Sequence, residues 1–232
     1  MTGLRRRGPD WLLNTYAGLG LVYLLIPIAV IIVFSFNQPR GRFNFIWQEF
    51  SLNAWKDPFG VPGIGNALLN SLEIAALSTL GATILGTLTA LALVRYEFRG
   101  RAPVNFFLFI PLATPEVVLG AALLSQFLNL GAPSLGFATI LIAHVMFNLS
   151  FVVITVRSRL IGFDRSIEEA AQDLGATPWE TFRLVTLPLI MPGVASAALL
   201  AFALSIDDFV ITYFNNGSTI TFPLFIWGAA RV

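Results

Sequence analysis

Long apolar runs, each ended by a short polar or charged stretch, repeat along this chain. A helix that crosses a hydrocarbon layer of about 30 Å needs about 20 predominantly apolar residues. Runs long enough lie within residues 12–36 and over about 69–94, 104–128, 135–156 and 189–214. Asn129-Leu130-Gly131-Ala132-Pro133 divides the third run from the fourth, because Gly and Pro punctuate a helical pattern. After Asn215-Asn216-Gly217 the chain turns apolar again and reaches Val232. The pattern predicts an all-α membrane protein, a polytopic bundle with five spans visible and a sixth expected beyond the last residue. Gly81, Gly86, Ala90 and Ala92 in the second run, and Gly120, Ala121 and Ala122 in the third, would let helix backbones approach closely in lipid. Residues 1–232 read as one transmembrane domain, with no internal repeat.

The polar stretches orient the runs. Arg5, Arg6 and Arg7 precede the first, Arg95, Arg99 and Arg101 follow the second, and Arg157, Arg159, Arg165 and Arg183 follow the fourth. The opposite side carries Arg40, Arg42, Lys56 and Arg231. Basic residues near span ends favour the cytoplasm, so the N-terminus is expected there. The first apolar run is longer than a signal-peptide core and no small-residue cleavage site follows it, so a retained helix is expected. Residues 37–68 then lie outside, and Phe43, Phe45, Trp47, Phe50 and Trp55 suit a segment at headgroup level.

Composition narrows the classes. Hydrophobic residues make up 56% of the 232 and charged residues 12%, with mean hydropathy +0.77. A soluble domain carries about 25% charge, so this chain has too little to cover a solvated surface. A net charge of +1 argues against a nucleic-acid partner. Cysteine is absent and His144 is the single histidine, which removes Cys- and His-cluster metal sites. A membrane-embedded enzyme would need catalytic groups converging at depth, and only a carboxylate pair is left for that. No glycine-rich phosphate loop with Lys occurs, so ATP would have to bind elsewhere.

The stretch of about 157–188 is the one long charged loop. Ser166 followed by Glu169 reads as a capping box. Ile167, Ala170, Ala171 and Leu174 form an apolar face at helical spacing, and Gly175 is placed to end that helix. Thr177, Pro178 and Glu180 start a second short helix through Phe182 and Val185, and Pro188 and Pro192 bend the start of the fifth span. A helix, a glycine turn and a second helix suit docking to a cytoplasmic partner better than a plain connector, since long loops without function are uncommon.

Glu169-Ala170-Ala171, three residues, Gly175, nine residues, then Val185-Thr186-Leu187-Pro188 resembles the EAA loop of ATP-binding-cassette (ABC) importer permeases, with Val185 where the family usually has Ile. The resemblance extends over roughly residues 70–227. It implies the type I importer permease fold, and docking through Glu168, Glu169, Ala170, Ala171, Asp173, Leu174, Gly175, Leu187 and Pro188. It also implies a non-catalytic subunit with no cofactor or metal of its own. Two ATPase subunits would carry ATP and Mg, beside a second permease (a heteromer) and an extracytoplasmic binding protein. Asn70-Ser71-Leu72, Arg95-Tyr96-Glu97-Phe98-Arg99-Gly100, Pro115-Glu116-Val117-Val118 and the run from Ala203 through Asp207-Asp208 to Val210 look like the branch that includes spermidine/putrescine permeases.

Ionisable groups inside a span usually face the bundle interior or a water-filled cavity. Glu73, Glu116, Asp207 and Asp208 qualify. Glu73 stands at the outer end of its run, and Glu116 either lines a path or caps a helix broken at Pro115. Asp207 and Asp208 would point about 100° apart on a regular helix, leaving one to face a path and the other to cap or pair. These acids suit a cation such as a polyamine, whose ammonium groups need partners once dehydrated. Tyr213 and Trp227, with Phe214, Phe222 and Phe225, either stack on that cation or form an interfacial belt. His144 and Asn148 share a helix face and suit a helix–helix hydrogen bond more than a proton relay. The same machine acting on another small solute, or an ion-coupled transporter, are the competing expectations.

Overall fold

The computed structural model describes residues 10–41, 43–131 and 134–231. Arg5, Arg6, Arg7, Arg42, Ala132 and Pro133, which entered the reading of orientation and turns, lie outside these. The chain divides into two compact units, Met1–Pro62 and Gly63–Val232.

In the first unit, α1 (Asp10–Phe34) covers the first apolar run, with mean hydropathy 2.7. Its 25 residues span about 37 Å at 1.5 Å per residue, enough to cross a bilayer core. The chain then turns around Asn37. Its amide donates to Asn44 Oδ1 (2.6 Å) and to the carbonyl of Ile46 (2.9 Å), and its oxygen accepts from the N–H of Gln48 (2.7 Å). Phe36 stacks on Phe50 and on Trp55, with ring centres 5.9 and 5.4 Å away. A single turn, α2 (Asn53–Lys56), is the only helix after α1 among the described residues of this unit.

The second unit is built on three long helices: α3 (Ile64–Arg95), α6 (Phe137–Ile161) and α9 (Leu187–Ile206). Small residues bring α3 and α6 together, as their distribution predicts. A Cβ on Gly86 would sit 2.6 Å from Val152, and one on Gly81 would sit 3.3 Å from Val145. Ala82, Ala90, Leu93, Val152, Val153, Val156, Ile190, Ala197 and Ala201 fill the core between the three. With α1, these helices supply the four long apolar elements.

Two predicted spans differ in form from the expectation. The third is a pair, α4 (Arg101–Ala113) and α5 (Glu116–Asn129), bent by 116° at Thr114-Pro115. Each is about 20 Å long, too short to cross alone. Proline disfavours a helical residue before it, and Thr114 is extended (φ −87°, ψ 133°). The fifth begins earlier than expected. The second loop helix, α8 (Pro178–Thr181), passes through a π turn over Phe182–Thr186 directly into α9, forming one helix from Pro178 to Ile206. Pro188 has no N–H to return to Leu184 and its ring crowds that carbonyl. The wider turn, in which the Leu187 N–H reaches the Phe182 carbonyl, accommodates this. The fifth run also breaks after Ile206, and resumes as α10 (Val210–Asn215) before α11 (Phe222–Arg231). Gly217 (φ +50°) makes the turn between them, where a Cβ would fall 2.1 Å from the Leu135 carbonyl oxygen.

Candidate functional site

Two places concentrate polar groups in the second unit: the loop after α6 and the break after α9. In the loop, α7 (Ser166–Asp173) ends at Gly175 in the left-handed region (φ +93°). The expected capping box at Ser166 and Glu169 is absent. Asp164 takes its place, accepting the N–H of Ser166 at 3.0 Å, and that N–H with the Ser166 hydroxyl holds the Asp164 carboxyl below its usual range. The second capping box forms as predicted. Glu180 Oε2 accepts the N–H and the hydroxyl of Thr177 (both 2.8 Å), and Thr177 Oγ1 accepts the N–H of Glu180 at 3.3 Å. These bonds lower the pKa of Glu180.

The loop's apolar face points outward. Leu174 is 90% exposed, and Ile167, Trp179 and Leu184 are exposed with it. Ala171, Leu174, Gly175, Ala176, Leu184 and Val185 border an open cleft of about 450 Å³. The inward position of α7 belongs to Glu168, which is 6% exposed. Arg95 Nη1 donates to its Oε2 at 2.7 Å, Arg95 Nη2 donates to its Oε1, and the Thr186 hydroxyl donates to Oε1 as well. Burial by itself would push this carboxyl up. The hydrogen bonds from Arg95 and Thr186 and the charges of Arg95 and Arg165 outweigh burial and hold it below the usual range. Glu169, Ala170 and Asp173 are exposed, Leu187 packs on the core, and Pro188 lies in the first turn of α9.

At the break in the fifth span the adjacent acids separate completely, and no regular helix relates them. Asp208 is buried. Its Oδ2 accepts the N–H and hydroxyl of Thr212 (both 2.8 Å) and lies 3.2 Å from His144 Nε2. Its Oδ1 accepts the N–H of Ile211 at 3.4 Å. It thus serves the free N–H groups of α10's first turn. His144, 2% exposed, reaches Thr212 Oγ1 (2.9 Å) through Nε2 and Ser205 Oγ (2.7 Å) through Nδ1, and Ser205 meets Ser78 at 2.9 Å. The expected helix–helix bond of His144 exists, whereas the buried Asn148 amide has no partner among the described residues. Asp207 is exposed and makes no hydrogen bond or ion pair among the described residues.

Aromatic rings flank this break. Phe209 stacks on Tyr213 (5.6 Å) and meets Trp227 (5.1 Å), while Phe214 packs edge-on to Tyr213. Tyr213, Trp227, Ile220 and Leu224 border an open cleft of about 390 Å³. Glu116 opens α5 and is exposed. One turn on, Gly120 packs on Ile211 and Phe214 of α10, and the Asn215 amide donates to its carbonyl at 3.4 Å. Sequence reasoning passed over Arg95, Thr186, Ser205 and Phe209 as members of these groups. A polar residue recurring at the bundle-facing register was the available signal for Ser78 and Ser205.

The description "Binding-protein-dependent transport system inner membrane component" is that of a family whose profile matches residues 82–230. The spermidine/putrescine transport system permease protein PotC of Haemophilus influenzae is 41% identical over 207 residues, covering 89% of this chain and 79% of that protein. The putrescine transport system permease protein PotI of Escherichia coli is 39% identical over 221 residues, covering 92% and 78%. Among solved structures, a bacterial ABC transporter involved in the import of the acidic polysaccharide alginate matches with TM-score 0.69 and 19% identity, over 98% of this chain and 81% of that one. At that identity the likeness speaks for the fold alone.

Proposed function

Because the chain belongs to the family of binding-protein-dependent transport system inner membrane components, and is a membrane permease subunit of an ABC importer, we propose that the solute it passes is a polyamine of the spermidine/putrescine class. The observation that carries this reading is Asp207. It is a carboxylate without a partner among the described residues, at an interruption of the fifth span, two residues before Phe209, which stacks on Tyr213 and meets Trp227 at a tilt. A polyamine needs anionic partners for its ammonium groups once water is stripped, and aromatic faces beside its methylene chain. Glu116, exposed at the bend of the third span, is a second carboxylate for such a cation. No Lys or Arg lies deep in any span to favour an anion. The relatives PotC, a spermidine/putrescine permease protein, and PotI, a putrescine permease protein, point the same way.

The N-terminus and the loop after α6 lie on the cytoplasmic side in this reading. There the exposed apolar face around Leu174 and the carboxylate of Glu169 meet an ATPase subunit, which carries ATP and Mg. Two ATPases, a second and different permease and an external binding protein complete the assembly. The continuous helix from Pro178 to Ile206 makes the second loop helix, α8, one body with the fifth span, so motion that reaches α8 is carried to the interruption at Asp207.

The test is uptake of labelled spermidine by proteoliposomes holding the importer that co-purifies with this chain. Uptake that requires ATP and is blocked by unlabelled putrescine, but not by an amino acid or a sugar, is expected. ATP hydrolysis stimulated by a different solute, with no spermidine uptake, would keep the permease and discard the polyamine.

A further inference from the structure

Glu168 is the only inward-facing acid of the loop, and three separate parts of the chain meet on it. Arg95 comes from the last turn of α3, Thr186 from the π turn that joins α8 to α9, and Glu168 itself from the first turn of α7. A second link runs parallel to the first: Arg165, just before α7, donates from Nη2 to the carbonyl of Val94 at 3.3 Å. Beyond these bonds α7 has little to hold it. Its eight residues are too few to be stable as an isolated helix. Its apolar side chains face outward, and Gly162 and Gly175 flank it, the latter in a conformation suited to glycine. A short helix between two glycines would swivel under load. The two-pronged contact with Arg95 and the bond from Thr186 fix its rotation and translation against two spans together.

We propose that Glu168, gripped by Arg95 and Thr186, is a positioning residue that transmits displacement of the docking loop to the second and fifth spans at once. This rests on the importer reading. It assigns to Glu168 a role different from that of Glu169, whose exposed carboxylate is left for the partner. The tie also explains why a carboxylate, costly to bury, occupies this place: charge and hydrogen bonds from two elements can converge on its two oxygens.

The test uses the purified importer complex with Glu168→Gln, Thr186→Val and Thr186→Ser. In Glu168→Gln and Thr186→Val, spermidine taken up per ATP hydrolysed is expected to fall by about tenfold or more, with the ATPase still co-purifying. Thr186→Ser, which keeps the hydroxyl, is expected to retain the wild-type ratio. Wild-type ratios in Glu168→Gln and Thr186→Val would overturn the proposal. Amide hydrogen exchange separates this result from failure of the substrate reading. Even if the wild-type complex moves no spermidine, α7 amides should exchange about tenfold faster in Glu168→Gln while α6 amides do not change. Unchanged protection of α7 in that variant would equally overturn the tie.

Discussion

Glu168-Glu169 in the loop and Asp207-Asp208 in the fifth span are two pairs of neighbouring acids treated alike by the fold. In each pair one carboxylate is buried and consumed by the chain's own architecture, and the other is exposed without a partner among the described residues. The difference lies in what holds the buried member. Glu168 is met by a guanidinium at the end of a span, so charge compensates charge near the membrane surface. Asp208 sits within the bundle and is met by backbone N–H groups, a hydroxyl and the imidazole of His144. The loop pair joins elements that must move together, whereas the span pair closes a gap in one helix. In both, the exposed neighbour is the group free to meet something outside the chain.

The comparison breaks most visibly at Asp208. Asp208→Ala leaves His144, Thr212 and the first turn of α10 without their acceptor in a dry interior, and is expected to cost about 3 kcal/mol or more. A large drop in the unfolding temperature of the detergent-solubilised chain would register it, and a stability equal to wild type would contradict the assignment. Next in size is the loop's own exposed acid. Glu169→Lys should weaken attachment of the ATPase by about tenfold while the chain remains inserted and α7 remains protected, as a pull-down against the ATPase would read. An unaltered pull-down would remove Glu169 from the docking face.

Acid should test the hold on Glu168. Glu168 has its pKa lowered in the folded chain, so its contribution is complete above the ordinary carboxylate range and is lost as pH falls through the lower folded value. Protection of α7 amides is therefore expected to hold from neutral pH down through the ordinary range and to collapse only below it. Loss of protection already near pH 5 would contradict the tie. The smallest effect belongs to the second loop helix: Thr177→Ala removes the cap of α8 and should cost about 1 kcal/mol locally. Faster amide exchange confined to Trp179, Glu180 and Thr181 would show it.

Much of this organisation is legible in the sequence. Apolar length gives the spans, Gly175 and the Thr177–Glu180 pair give the loop, and the small residues of α3 mark its contact with α6. That one of Asp207 and Asp208 would cap or pair is legible, but the break between them, and that Asp208 is the one, are not, because no Pro or Gly marks the break. Its cause is a set of bonds to Thr212 and to His144, the latter more than sixty residues away in the chain. Glu168 is hidden for the same reason: the resemblance puts it on the docking face with Glu169, whereas it is buried in the fold, which brings Arg95 and Thr186 onto it. The π turn follows from Pro188 but appears upstream of it, where local pattern predicts an ordinary helix. The bend at Pro115 is marked by the proline itself, although its angle of 116° is set by the packing of α5 on α10.

The most direct test of the account is spermidine uptake by the reconstituted importer carrying Asp207→Asn. The change alters no hydrogen bond among the described residues, so stability should stay within about 0.5 kcal/mol of wild type. Uptake should fall by about tenfold or more, and Asp207→Glu should restore part of it. Uptake at the wild-type rate in Asp207→Asn, from a complex of normal stability, would contradict the claim that this carboxylate receives the cation.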